Sequence, residues 1–191
     1  MRTRSIAIGL LLVMLASRSG RAGELDLAVG AGASTSTWEG DGGGGSRLEL
    51  SYFFRRLPWL APMFVGKVEY STIDDRISTY FSLGAQARRE LGPVLGVARA
   101  GIVHAHEESM AAVLAAPFEA LFGVGDGIRH RAGCNAGVGL QVPFGHHRRG
   151  DFYGAVDVGA TWFFDDRGPS WYLSGGVAIG VRFGGAATHA R

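Results

Sequence analysis

The densest group of side chains able to bind metal or move protons is the run His104-Ala105-His106-Glu107-Glu108-Ser109, followed farther along by Arg129-His130-Arg131. Two histidines at i and i+2 share one face if the chain there is extended. A third imidazole from a neighbouring strand would give three nitrogen ligands for Zn²⁺ or another transition metal, with Glu107 or Glu108 completing the set. The same residues allow a second chemistry, in which a histidine acts as base for the Ser109 hydroxyl and a glutamate orients the imidazole. A third use involves no reaction: a His/Glu/Arg belt that touches sugars and phosphates at a surface. The belt is the reading taken forward. All three depend on which elements carry His104, His106 and His130, and on which way their side chains point.

The chain has 191 residues and a formal charge of +2, from 19 basic and 17 acidic residues. Arg2, Arg4, Arg18 and Arg21 supply four of those cations within a segment that has no acid. Its basic head, the apolar run Ser5 to Ala16 and the small residues around Gly20-Arg21-Ala22 read as a secretory signal, with cleavage expected after Ala22. The remainder then holds 15 basic against 17 acidic residues. No basic excess is left to neutralise phosphates, so a nucleic-acid partner is not expected. Cys134 is the single cysteine, which rules out an intramolecular disulfide.

Beyond residue 22 no apolar run is long enough to cross a bilayer as a helix. Eight segments instead alternate large apolar residues with small or polar ones, bounded by Gly, Pro, Asp or Arg clusters. They run over about 24–37, 47–55, 63–72, 77–88, 94–106, 129–142, 152–163 and 171–183. In the last, Leu173, Val177, Ile179, Val181 and Phe183 oppose Tyr172, Ser174, Gly176, Ala178, Gly180 and Arg182.

A soluble two-sheet sandwich would show similar alternation. Three features favour a barrel in a membrane. The small or polar face is crowded with Gly, Ala and Ser between isolated charges, as a narrow lumen requires. Aromatics stand at the ends of the apolar faces, with Phe54, Phe144, Phe152 and Phe183 toward one rim and Tyr70, Trp162 and Trp171 toward the other. The longest connection, 107–128, follows the fifth segment, on the external side if the amino terminus starts in the periplasm. The opposite links carry turn residues, including Pro58, Pro62, Gly92-Pro93 and Gly145 to Gly150.

The expected fold is therefore all-β: an eight-stranded, antiparallel, up-and-down transmembrane β-barrel over residues 23–183, after a cleaved signal peptide at 1–22 and before a short tail at 184–191. Over nearly all of that mature length the pattern resembles small Gram-negative outer-membrane β-barrels of the OmpA transmembrane-domain and OmpX class. Ser174-x-Gly176-x-x-Ile179-x-Val181, closing on Phe183, is similar to the last-strand signal read by the barrel-assembly machinery. The resemblance implies an integral outer-membrane location and contact with outer-membrane lipid and lipopolysaccharide. It also implies a monomer without a cofactor.

An interior of eight strands is just wide enough to be filled by side chains. Parity turns Asp26, Glu49, Lys67, Glu69, Arg99 and Asp157 into it, together with Arg47, Arg55, Arg88, Arg131 and Arg182. Buried charges persist when paired, so a plugged lumen with an ion-pair network is expected, and with it a structural or surface-interaction role. A narrow pore for small solutes is one alternative. Another is hydrolysis of lipid A, because outer-membrane lipid A deacylases resemble this chain in size and strand count. They carry a His-x-Ser pair with a nearby Glu on an outward face. Here the pair-like position reads His104-x-His106, and Ser109 is the nearest hydroxyl.

The same parity projects His104, His106 and His130 outward, with His104 and His130 expected nearly opposite each other. Met110 to Phe122 suggests a short interfacial helix, a lid or a partner-binding loop. Gly42 to Gly45 reads as a flexible loop tip, His146 to Arg149 as a solvated basic turn, and Cys134 as a small residue facing lipid.

Overall fold

The computed structural model describes residues 23–184 except 39, 73–74, 125–126 and 148–149. The signal-peptide reading of 1–22, the tail beyond 184 and Arg148-Arg149 lie outside the described residues.

Eight strands form one closed antiparallel barrel in which every strand pairs with its sequence neighbours and β1 closes on β8. They are β1 (Glu24–Ser36), β2 (Gly42–Phe53), β3 (Leu60–Ser71), β4 (Arg76–Leu91), β5 (Val94–Ser109), β6 (Arg129–His147), β7 (Gly150–Phe163) and β8 (Trp171–Phe183). Two short helices, α1 (Met110–Ala115) and α2 (Pro117–Phe122), lie between β5 and β6.

Side-chain polarity is inverted relative to a water-soluble protein. Arg76, Arg131, Glu107, Gln86 and Gln141 are among the most deeply buried residues. Val29, Leu83, Ile102, Val138, Val158, Val177 and Ile179 are exposed on the outside. A continuous apolar band around a closed sheet far exceeds the patches found on soluble monomers. Closure also pairs every backbone group that lipid could not satisfy. Both observations exclude a sandwich with an apolar core between two sheets.

Aromatic side chains border the band. At the rim bearing the chain ends, Phe144 and Phe152 stack at 6.5 Å, beside exposed Phe54 and Phe183. At the opposite rim, called external below, Trp162 and Trp171 stack at 5.7 Å with their planes 9° apart. These are positions for interface girdles.

Several boundaries differ from the sequence expectation. β2 starts at Gly42, so Gly42 to Gly45 is strand and no loop tip; those glycines pair with β1 and, from Gly43 on, with β3. Pro62 lies inside β3 opposite Ala85. β6 continues to His147 through an irregularity between Pro143 and Gly145, so His146 is a strand residue opposite Asp151 and bonded to its carboxylate. β5 continues through Ser109. In each case a paired neighbour holds extended a segment whose own composition signals a turn.

β4 and β5 have 16 residues and β6 has 19, whereas about 9–11 suffice to cross a bilayer. These three strands are therefore long enough to extend beyond a bilayer. The helices pack against the external ends of β4 and β5.

Candidate functional site

The interior is filled in three tiers. Nearest the chain ends, Arg182 reaches Asp26 at 3.6 Å and Gln141 at 2.5 Å, while Tyr153 donates a hydrogen bond to Asp26 and Arg88 pairs with Glu24. Gly180 leaves the space that the Tyr153 ring occupies, since a Cβ there would lie 2.2 Å from it. Ala28, Ala155 and Ala178 complete this layer.

Midway, Arg47 forks onto Asp157 and also touches Glu49 at 2.8 Å. Arg99 bridges Glu49 at 3.0 Å and Asp157 at 3.6 Å, and donates to Gln86 at 3.2 Å. Two guanidiniums thus alternate with two carboxylates, so each buried charge faces an opposite one. Lys67 pairs with Glu69 at 2.6 Å and lies over the Tyr80 ring. A cavity of about 110 Å³ is lined in part by Arg47, Glu49, Lys67, Arg99 and Asp157.

The external tier is aromatic and ionic. Tyr80, Phe163 and Tyr172 pack with Val103 and Ala105 across the bore. Above them Arg131, buried and stacked on Phe163, reaches Glu107 at 3.2 Å, Asp165 at 2.9 Å and the Pro169 carbonyl at 3.0 Å. Arg76 lies 4.0 Å from Asp41, which accepts from Ser36 and Ser71.

The six lumen charges singled out from sequence all point inward but do not form one network, and Arg55, also expected inward, is exposed in the turn after β2 because that strand ends at Phe53. Glu49, Arg99 and Asp157 meet; Lys67 and Glu69 form a neighbouring pair; Asp26 belongs to the tier at the chain ends. Arg47, which like Arg99 ties Glu49 to Asp157, is an inward charge outside that core set. Its parity was legible, but its reach across the bore to β7 depends on barrel diameter, which a sequence does not display.

Outside the barrel, His104, His106 and His130 converge. One nitrogen from each ring lies within 4.8 Å of the other two, with His130 Nδ1 3.3 Å from His104 Nε2. The register places His106 opposite His130 and His104 opposite Ala132, so His104 is diagonal to His130. The two are thus nearly opposite, as expected, with His106 in the directly facing position.

The glutamates and serine separate from this cluster. Glu107 is buried inside the barrel with Arg131 and Arg129, which removes it from an outward site. Ser109 caps α1, its hydroxyl accepting from the Ala112 amide at 3.2 Å. Both losses follow from alternation, since odd residues of β5 face the lumen. Glu108 shares the outward face with His104 and His106 and is half-buried. Cys134 is outward and half-buried, one register step from Ile102 and Trp162.

The described residues of the connecting loop pack against the barrel wall. There Gly123, left-handed at φ +65°, sits against the His106 ring so closely that a Cβ would fall 2.4 Å from it. Phe81 flanks the same ring at 5.8 Å. His106 is thereby 93% buried, whereas His104 and His130 remain exposed.

No protein-family model and no curated protein sequence matches the chain. Among solved structures it is similar to the amino-terminal β-barrel domain of Pseudomonas aeruginosa OprF, at 13% identity and a TM-score of 0.56, covering 85% of this chain and 98% of that one. Neisserial surface protein A aligns at 14% identity and a TM-score of 0.55, covering 86% and 97%. Ail of Yersinia pestis, in a structure with the heparin analogue sucrose octasulfate, aligns at 16% identity and a TM-score of 0.52, covering 85% and 99%. With its polar interior and apolar exterior, the chain is an integral β-barrel of the small outer-membrane type.

Proposed function

We propose that the protein is a non-conducting outer-membrane barrel that acts through its external rim, in contact with lipopolysaccharide. The observation that carries this reading is the lumen: three tiers of paired charges and aromatic rings occupy the bore, and the cavity beside Arg47 and Arg99 measures about 110 Å³. A barrel without a passage has its two rims and its lipid face left for function. The external rim is the more elaborate. There the loop exposes Leu114, Phe118 and Phe122, the rim also exposes Trp162, Phe164 and Trp171, and His104 and His130 stand exposed beside the His106 ring that the loop covers. Acyl chains suit the former and phosphates or sugars the latter. The similarity in fold to Ail, solved with a sulfated sugar, is in keeping with polyanion contact at such a rim. The chain acts as a monomer whose last strand presents the assembly signal.

The hydrolase reading has no assembled nucleophile, because Ser109 is used as a helix cap and Glu107 is inside. A nucleophile must lie within hydrogen-bond reach of its base. Expression in a Gram-negative host tests both alternatives. Lipid A is expected to keep its mass, and proteoliposomes are expected to resist swelling in small sugars. Loss of an acyl chain that depends on His104, or rapid swelling, would overturn the proposal.

A further inference from the structure

We propose that His104, His106 and His130 form a binding site for a divalent transition-metal cation of the zinc class, on the outer wall just beyond the external tryptophans. This goes beyond the role assigned to the rim above and does not depend on it.

The backbone brings the three together without strain. His104 and His106 share the outward face of β5, and β6 places His130 directly across from His106. A tetrahedral ion with Zn–N bonds of about 2.0–2.1 Å has N···N edges of about 3.3 Å. The His130 Nδ1 to His104 Nε2 separation is 3.3 Å, and one nitrogen from each of the three rings lies within 4.8 Å of the others. Rotation about the side-chain torsions is enough to close the remainder.

The surroundings point the same way. Three neutral imidazoles suit Zn²⁺, Cu²⁺ or Ni²⁺ and do not suit the hard cations, which take oxygen. Gly123 and Phe81 hold the His106 ring in place, a support that ligand orientation requires. Exposure of His104 and His130 leaves the remaining coordination position open to the outside, where water or Glu108 can fill it. The nearby guanidiniums do not compete, since Arg129 and Arg131 both turn to Glu107. The location is also accessible: His104 is the eleventh residue of β5 and His106 the thirteenth, at or past the length that crosses a bilayer.

The test uses the untagged full chain, processed and folded in detergent micelles, titrated with Zn²⁺ in a calorimeter and with Co²⁺ by visible absorption. One ion per chain and a tetrahedral Co²⁺ spectrum are expected. His130→Ala is expected to weaken binding by roughly tenfold or more, and His104→Ala with His130→Ala to abolish it. His104→Asn with His130→Asn provides a second pair should the alanine variant fail to fold, as judged by heat-modifiable gel migration. A His146→Ala, His147→Ala variant is expected to bind as the original does. No binding by the original protein, undiminished binding by the folded double variants, or loss of binding in the His146/His147 variant would each overturn the proposal.

Discussion

Asp157 is the side chain on which the middle of the lumen most depends. It accepts from Arg47 and lies 3.6 Å from Arg99. Replacing it by Asn leaves two buried guanidiniums with Glu49 as their shared carboxylate. Removing one member of such a set costs about 3–5 kcal/mol. Urea unfolding in lipid vesicles should therefore show Asp157→Asn destabilised by about that amount, and an unchanged midpoint would refute the network. Gly180 makes a second residue-level case. A valine there would drive its Cβ into the Tyr153 ring and displace the hydroxyl from Asp26, with overpacking expected to cost about 1–3 kcal/mol. Gly154 faces open space, so Gly154→Ala should leave the same midpoint nearly unmoved. At this scale the sequence revealed the side of the wall each charge occupies, because alternation has a period of two. It did not reveal the partners of Arg47, Arg99 or Tyr153, which arrive from strands far apart in the chain.

At the scale of elements, the external ends of β5 and β6 and the helical loop between them form one unit. Gly123 ends α2 in a left-handed conformation against the His106 ring. Gly123→Ala both strains the backbone and collides with the imidazole, so the loop should lift from the wall. Hydrogen exchange is expected to rise across residues 110–124 while the spanning parts of β4 to β6 stay protected; unchanged exchange in the loop would show that the contact does not hold it. The strands themselves were readable from alternation, but their ends were not. Gly42 to Gly45, Pro62 and His146 carry turn-type residues yet are held extended by paired neighbours. The histidine cluster was legible as a grouping, and its outward direction followed from Arg99 and Arg131. The partners Glu107 and Ser109 dropped out once strand β5 was seen to run to its end and hand over to a capped helix.

At the scale of the whole molecule, an apolar belt outside and charge pairs within are two consequences of one closed sheet. Strand number limits the bore to what side chains can fill, and the residues present fill it with Arg47, Glu49, Arg99 and Asp157 beneath an aromatic layer of Tyr80, Phe163 and Tyr172. The central claim is that this filling leaves no continuous passage for ions. Current through a planar bilayer, recorded after insertion of protein whose folding has been verified by heat-modifiable migration, tests it most directly. The expected record is a flat baseline with no unitary steps at any applied voltage. Discrete, reproducible conductance steps from the folded protein would contradict it.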